Sequence, residues 1–371
     1  MSGLVVLVVS LTGCLYAFQE EILDATEPFR YVEPRPQTPL PPSRLQAIAT
    51  RHLPGKHLHA VMYGRPDRAA QAIFYQFDPA YYFVVYLDPY TGAVLKVKDM
   101  DRDFFRIVLT GHFYLWLPPA IGQPVVASST LVFVVLLLSG LVLWWPRNRA
   151  ATRQRLGFRW KPQTQWKRRN YDLHTVLGFY ACWLALVLAL TGLVWGFSWF
   201  AEAVYRGAGG TGSTVYREPL SEAPAQRPAP TPAIDRLWHR LRAKFPRAYS
   251  LEVHIPETDR SAISININPD QGTLWKIDYR YFDQYSLREL PVKHVYGRFG
   301  TATAADKLIR LNYDVHVGAI GGLPGKVLAF LVSLTCASLP VTGFLVWWGR
   351  RRKAGRGEPV RPRLSAGPPA A

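Results

Sequence analysis

Residues 11–22, LTGCLYAFQEEI, match residues 190–202, LTGLVWGFSWFAE, in a Leu-Thr-Gly that is followed by aromatic residues at the same spacing. A second pair matches in the same way: LLSGLVLWWPRNR at 137–149 and LPVTGFLVWWGRRR at 339–352. Two matching pairs in the same chain order indicate an internal duplication. A Thr-Gly or Ser-Gly therefore recurs at a matching position in each of four apolar segments.

These four apolar segments have the length and composition of membrane-spanning helices. Residues 125–145, 177–200 and 326–348 are each about twenty residues long and almost free of charge, which is enough to cross the hydrocarbon of a bilayer. The first segment, residues 2–18, is shorter. Small residues allow helix backbones to approach closely, so we expect the Thr/Ser-Gly pairs to lie at helix contacts.

The formal net charge of +18 is concentrated in two short stretches. Residues 147–171 contain nine Lys/Arg and no acid, and residues 350–371 contain seven Lys/Arg and one acid. Each follows an apolar run that ends in a Trp pair, and basic flanks of this kind mark the cytoplasmic side. The charge therefore predicts a membrane topology, with membrane lipid as the partner and no nucleic acid.

The expected architecture is an integral membrane protein, mainly α, with two small α+β extracytoplasmic domains and four transmembrane helices built as a duplicated helix–domain–helix unit. Each outer segment has a Pro-rich linker, a helical pattern and alternating strands with Asp-Pro or Asn-Pro turns. The predicted order is transmembrane helix 1 at 1–19, outer domain at 20–110, outer His segment and helix 2 at 111–146, basic inner loop at 147–171, helix 3 at 172–200, outer domain at 201–311, outer His segment and helix 4 at 312–349, and a basic Pro-rich inner tail at 350–371.

The start of the chain allows two interpretations of LTGC at 11–14. It fits the cleavage box of a bacterial lipoprotein signal, which would make Cys14 a lipidated first residue. The start lacks the Lys/Arg of a signal n-region, and the third helix carries the same Leu-Thr-Gly without a cysteine, so we favour helix packing. Aligned on the repeat, the first helix lacks about a third of its partner, which predicts a true start upstream of Met1.

Three histidines lie beside the predicted membrane helices. His112 and His316 occupy matching repeat positions on the outer side, and His174 stands at the inner end of helix 3. Two symmetric imidazoles can ligate one haem iron, one from each face. Interfacial histidines without a ligand and a proton relay remain open, although no intramembrane Asp or Glu accompanies them. A zinc ion would need further ligands, and no Cys, Asp or Glu joins these histidines to supply them. The sequence has no CxxCH motif, which argues against c-type haem.

The chain resembles the PepSY-associated transmembrane proteins, also described as iron-regulated membrane proteins. The resemblance rests on YLDPYTGAVLKVKD at 86–99, HVGAIGG at 316–322, LHTVLGFY at 173–180 and the Thr/Ser-Gly helix ends. It implies PepSY-like outer domains and, for some members, ferric-siderophore reductases with two b-type haems. On that resemblance, His112 and His316 would ligate the outer haem iron and His174 the inner one, whose second ligand would precede Met1.

The resemblance therefore implies a haem b oxidoreductase of the bacterial inner membrane that passes electrons outward to ferric chelates in iron uptake. It would be a multi-pass protein with periplasmic PepSY-like domains and a cytoplasmic C-terminus, a ferric siderophore as substrate and an electron donor in the cytoplasm. As an enzyme it would be a ferric-chelate (siderophore) reductase. The alternative is a non-enzymatic, membrane-anchored module that binds or regulates a periplasmic partner such as a peptidase; a transporter subunit lacks the expected intramembrane charges.

Overall fold

The computed structural model describes residues 2–146, 152–153, 155–222 and 231–354. Parts of the predicted inner loop, of the second Pro-rich linker and of the tail lie outside the described residues. The described chain forms a bundle of apolar helices, and an antiparallel sheet covered by two helices lies at one end of it.

The helices comprise long apolar segments and groups of shorter helices between them. Their bounds are α1 (Ser2–Tyr16), α2 (Gln19–Thr26), α3 (Pro42–His52), α4 (Phe104–Tyr114), α5 (Pro119–Trp144), α6 (Trp166–Asp172), α7 (Gly178–Gly196), α8 (Ser198–Gly207), α9 (Ala233–Lys244), α10 (Ala304–His316) and α11 (Gly322–Ala354). A π-helical segment, Leu173–Leu177, joins α6 to α7 without a break. The helical patterns predicted at 43–52 and 233–245 are confirmed within one residue at each end.

Three of the described helical segments are long and apolar enough to cross a membrane: Pro119–Trp144, Trp166–Gly196 and Ala319–Arg351. The spans predicted at 125–145 and 326–348 correspond to helices that begin several residues earlier, and the first of these helices ends at Trp144, one residue before the predicted end. The span predicted at 177–200 begins earlier as well, and it ends at Gly196 because Phe197 has an extended backbone. The chain is therefore a multi-pass membrane protein.

The first predicted span differs from the expectation. Helix α1 ends at Tyr16, and α2 continues at an angle of 47° after a break of two residues. The two helices meet the criteria for a span only as one bent unit. The acidic residues Glu20, Glu21 and Asp24 place the polar face of α2 outside an apolar medium. A fourth span thus depends on counting α1 and α2 together.

The strands of both outer segments form one continuous sheet. The strands are β1 (Ala60–Tyr63), β2 (Ala70–Phe77), β3 (Ala80–Leu87), β4 (Val94–Asp99), β5 (Ser250–His254), β6 (Ile263–Asn268), β7 (Asp278–Phe282) and β8 (Glu289–Leu290). Their order in the sheet is β4-β3-β2-β1-β5-β6-β7-β8. The predicted turns at 88–92 and 268–272 connect strands of this sheet.

The seam between the two segments is a pair of antiparallel strands, β1 and β5. Val61 pairs with Val253, and both side chains are fully buried on the same sheet face. Helices α3 and α9 cover that face, with Leu237 and Trp238 of α9 inside the shared core. We expected two separate small domains; instead their apolar faces are buried together, because each half alone has only four strands and one helix to cover them.

Asp314 attaches the sheet to the helix bundle. Its carboxylate is fully buried in α10 and accepts the backbone N–H groups of Leu274 and Trp275, at 2.9 and 2.8 Å. These residues lie in the connection from β6 to β7. A buried carboxylate requires such donors, so the bond fixes the position of the sheet above the outer ends of the long helices.

We predict that Leu237→Ala destabilises the shared core by about 2–5 kcal/mol, because it leaves a cavity under the seam. The control Leu95→Ala removes a side chain of the same size that is 38% exposed on the edge strand β4. Thermal unfolding of the purified protein in detergent, followed by circular dichroism, measures both variants. Equal midpoints for the two variants would contradict a common core.

Candidate functional site

Each of the three histidines beside the membrane lies against a Thr-Gly pair of another helix. The histidine Nδ1 atom approaches the threonine Oγ1 atom at hydrogen-bonding distance in all three sites. The distances are 3.1 Å for His112–Thr12, 2.8 Å for His316–Thr191 and 2.9 Å for His174–Thr342. The Thr-Gly repeats therefore have a specific task beyond helix packing, since each one receives an imidazole.

The glycine of each pair makes room for the imidazole ring. A Cβ atom added at Gly13 would lie 3.3 Å from Cε1 of His112, and one added at Gly343 would lie 3.2 Å from Cε1 of His174. At Gly192 the corresponding distance to His316 is 3.5 Å. The hydroxyl and the bare backbone together form a fixed seat for the Nδ1–Cε1 edge of the ring.

The hydrogen bonds of the threonines determine which ring nitrogen carries the proton. Each threonine hydroxyl lies 2.8–2.9 Å from the backbone carbonyl four residues earlier and donates its one hydrogen within its own helix. The oxygen can then only accept from the histidine, so Nδ1 is protonated. In the described ranges no hydrogen bond reaches Nε2 of these histidines. Its lone pair is free to bind a metal.

The structure brings the outer histidines, His112 and His316, together. Their ring centroids are 6.1 Å apart, and the ring planes are inclined at 75°. Both rings line a cavity of about 450 Å³ whose walls are mostly apolar and include Gly13 and Gly192. The two residues come from α4 and α10, which occupy equivalent positions before the long helices α5 and α11.

Burial keeps both outer histidines neutral at physiological pH. Desolvation lowers the pKa of His112 to about 4, against a smaller opposing effect of the Val9 carbonyl. Desolvation, and then the neighbouring His112, lower the pKa of His316 to about 3. A neutral imidazole is the form that binds metal. Both imidazoles can therefore bind a metal without first losing a proton.

A tight turn ends the helix that carries His112. After His112, helix α4 ends in two left-handed residues, Leu115 and Trp116, with φ of 54° and 58°. The Trp116 indole covers Gly111 and donates Nε1–H to the Ile107 carbonyl. Left-handed backbone in bulky residues costs on the order of 1–3 kcal/mol each, and such strain is typical of positions fixed for function.

The inner histidine has no second histidine beside it in the described part of the chain. His174 lies in the π-helical segment and lines a cavity of about 300 Å³, together with Gly140. Gly140 belongs to Ser139-Gly140, the remaining one of the four Thr/Ser-Gly pairs. A Cβ atom added at Gly140 would meet no atom within 4 Å. The glycine of the Ser139-Gly140 pair thus lines the cavity of His174, and no imidazole lies against it in the described part of the chain. A ligand for this position from upstream of Met1 stays a prediction.

Sequence reasoning missed the asparagines that fix the histidine helices. Asn170 donates to the Thr342 carbonyl at 3.0 Å, and Asn312 donates to the Thr191 carbonyl at 3.1 Å. Each asparagine precedes its histidine by four residues and bonds to the threonine that receives the same histidine. The signal was present as a repeated pentapeptide, NYDLH at 170–174 and NYDVH at 312–316. The position equivalent to Asn312 before His112 is Val108, which cannot donate.

His112 and His316 are the residues of this cavity that could hold the iron of a haem. An imidazole nitrogen binds a metal at about 2.0–2.1 Å, so two rings on opposite sides of one ion have centres about 6 Å apart. The observed separation of 6.1 Å agrees with this. A haem supplies its other four iron ligands itself. Among the described residues no group of three or more His, Cys, Asp or Glu side chains could hold a metal ion.

The remaining histidines lie away from this pair. His59 and His254 meet across the seam, with Nε2 and Nδ1 3.2 Å apart. His239 is exposed on α9, and His294 is buried beside Tyr216 and Tyr281. None of these residues lines the cavity of His112 and His316.

One family model matches nearly the whole chain. It is described as PepSY-associated TM region and matches residues 1–350. No curated protein matches the chain.

We predict that Thr191→Val lowers stability by about 1–3 kcal/mol and shifts His316 away from the Nδ1–H tautomer, because a buried donor loses its acceptor. Thr191→Ser keeps the hydroxyl and is the matched control. Thermal unfolding measures stability, and ¹⁵N NMR of histidine-labelled, haem-free protein measures the tautomer. If His316 of the wild type were protonated at Nε2, the Thr191 hydroxyl would not accept a hydrogen bond from its Nδ1, and the proposed hydrogen-bond direction would be wrong.

Proposed function

The chain belongs to the PepSY-associated TM family, and from this premise we propose that it is a haem b oxidoreductase that passes electrons outward to ferric chelates. The observation that carries the proposal is the outer pair, in which His112 and His316 have free Nε2 atoms and ring centres 6.1 Å apart. His174 has the same seat and the same free nitrogen on the opposite side of the bundle. The substrate would be ferric iron held by an oxygen-rich chelator such as a siderophore.

In this proposal each side chain of the outer site has a defined task. His112 and His316 would hold the iron of the outer haem through Nε2, and His174 would hold the inner one. The bound group supplies one-electron transfer. Thr12, Thr191 and their neighbouring glycines keep the imidazoles in one orientation and one tautomer. Apolar wall residues such as Leu188 and Ala189 exclude water from the site.

The proposed orientation places the sheet in the periplasm and the C-terminus in the cytoplasm of a bacterial inner membrane. The distribution of basic residues supports it, because the stretch 147–171 follows α5 and the stretch 350–371 begins in the last residues of α11, at the helix ends remote from the sheet. Reductant would then arrive on the side of His174, and ferric chelates on the side of His112 and His316. Reduction to Fe(II) weakens binding by hard oxygen ligands and releases the iron.

We predict that the purified protein contains b-type haem and that His112→Ala or His316→Ala removes the outer centre. His239→Ala, on the exposed face of α9, is the matched control and keeps the haem content of the wild type. Haem is measured by pyridine haemochrome assay and by reduced-minus-oxidised absorption spectra. A wild-type protein that binds no haem would refute the oxidoreductase and leave the non-enzymatic periplasmic module. Unchanged haem in both histidine variants would show that other residues are the ligands.

A second prediction concerns the reduction potential of the outer centre. Thr191→Val should raise the potential relative to Thr191→Ser, because an imidazole whose Nδ1–H has no acceptor is a weaker base and favours ferric iron less. Spectroelectrochemical titration of the two variants, at equal haem content, measures the difference. Identical potentials would contradict a role for the threonine in positioning and polarising His316.

A further inference from the structure

A second cavity lies in the outer part of the molecule, beside the cavity of the histidine pair. It has a volume of about 600 Å³ and is bounded by β7, β8, the connection from β8 to α10 and the first turns of α10. We propose that this outer cavity is the docking site for an anionic, carboxylate-rich chelate of ferric iron. The identity of the metal rests on the proposed function; the anionic character rests on the cavity itself.

Two side chains form the partition between the cavities. Tyr279 and Arg310 line both of them. Arg310 lies in α10 six residues before His316, which corresponds to about 9 Å along the helix axis. Its guanidinium lies over the Tyr279 ring, 5.4 Å from the ring centre. A ligand in the outer cavity would therefore be separated from the histidine site by a single layer of side chains.

The acidic side chains that line the outer cavity already have partners. Glu289 forms ion pairs with Arg280 and Arg298. Asp306 accepts hydrogen bonds from Thr303 at the start of α10 and from the Tyr205 hydroxyl at 2.8 Å. Glu289 is therefore engaged by two arginines, and Asp306 is hydrogen-bonded and acts on Arg310 only from beyond ion-pair distance.

Two cations of the wall have no carboxylate within 4 Å in the described ranges: Lys293 and Arg310. Arg310 is only 7% exposed, and its guanidinium donates to the carbonyls of Val295, Ile277 and Gly297. Neutral carbonyls satisfy its hydrogen bonds, and the carboxylates of Asp306 and Asp278 offset part of its charge from beyond ion-pair distance. A buried charge without a directly paired counter-ion is costly, so an anion in the cavity is favoured.

His294 adds a buried donor to the same wall. Its Nδ1 accepts the backbone N–H of Tyr296 at 3.2 Å, so the neutral ring carries its proton on Nε2. Nε2 is buried and has no acceptor at hydrogen-bonding geometry among the described residues. Burial lowers the pKa of His294, and the nearby Arg217 carbonyl offsets part of that effect. A ligand oxygen would satisfy this donor.

The ligand that these features describe is a compact polyanion with several oxygen acceptors. The volume of about 600 Å³ lies within the range of about 300–1,000 Å³ that is usual for small-molecule sites. A hydroxycarboxylate chelate of trivalent iron has the required size, charge and acceptor oxygens. Its position next to Tyr279 and Arg310 would bring the metal close to the proposed outer haem.

The test uses gallium(III) citrate as a probe, because gallium(III) mimics ferric iron but cannot be reduced. Isothermal titration calorimetry on the full chain in detergent measures its dissociation constant for the wild type and for Lys293→Glu. Lys96→Glu is the matched control, since Lys96 is exposed on β4 at the opposite edge of the sheet. Lys293 has no ion pair among the described residues, so its replacement should leave the fold intact.

We expect Lys293→Glu to weaken the binding of gallium citrate at least tenfold and Lys96→Glu to change it less than twofold. Absence of binding to the wild type, or equal affinities for the two variants, would overturn the site. Equal affinity for inorganic phosphate would also overturn it, since a nonspecific anion site would then suffice.

This outcome is separable from that of the proposed function, because calorimetry with gallium requires no electron transfer. A haem-free chain that binds gallium citrate through Lys293 would refute the oxidoreductase and retain the docking site. A haem-loaded chain that does not bind gallium citrate would refute the docking site and retain the oxidoreductase.

Discussion

The hydrogen bond from an imidazole Nδ1–H to a threonine hydroxyl, above a glycine, is the constraint on which the arrangement of this protein depends. It occurs three times, and each time it joins one helix to the end of another. The bond can form only if the glycine lets the ring approach and the threonine gives its own hydrogen to its helix. In an apolar medium these groups have no water to replace a missing partner, so helix position and ring orientation are fixed together.

The same constraint links the membrane helices to the outer sheet. His316 is held by Thr191 below it, and two residues earlier Asp314 holds the β6–β7 connection above it. One turn earlier still, Arg310 separates the two outer cavities. Helix α10 therefore carries an anchor for the sheet, the proposed ligand of the metal and the proposed contact to the substrate within ten residues. The β1–β5 seam joins the two outer segments into one sheet above this helix.

Much of this could be predicted from the sequence, because the signals are local or periodic. The long apolar runs gave the spans, the Asp-Pro-Tyr-Thr-Gly turn gave a strand pair, and the repeat placed His112 and His316 at equivalent positions. The union of the two outer segments could not be predicted, since edge pairing between β1 and β5 leaves no mark in either strand. The bend after Tyr16 could not be predicted from the sequence either, because the apolar composition continues to Phe18. The outer cavity depends on tertiary contacts of Arg310, which no local pattern around residue 310 indicates.

The central claim is that His112 and His316, as neutral imidazoles, would together hold one haem iron through their Nε2 atoms. Electron paramagnetic resonance of the oxidised wild-type protein tests it most directly, because two strong nitrogen ligands make ferric haem low-spin. The account predicts a low-spin ferric signal that is lost from the outer centre in His316→Ala. Haem-loaded wild-type protein without a low-spin signal, or a low-spin signal that persists unchanged in His316→Ala, would contradict it.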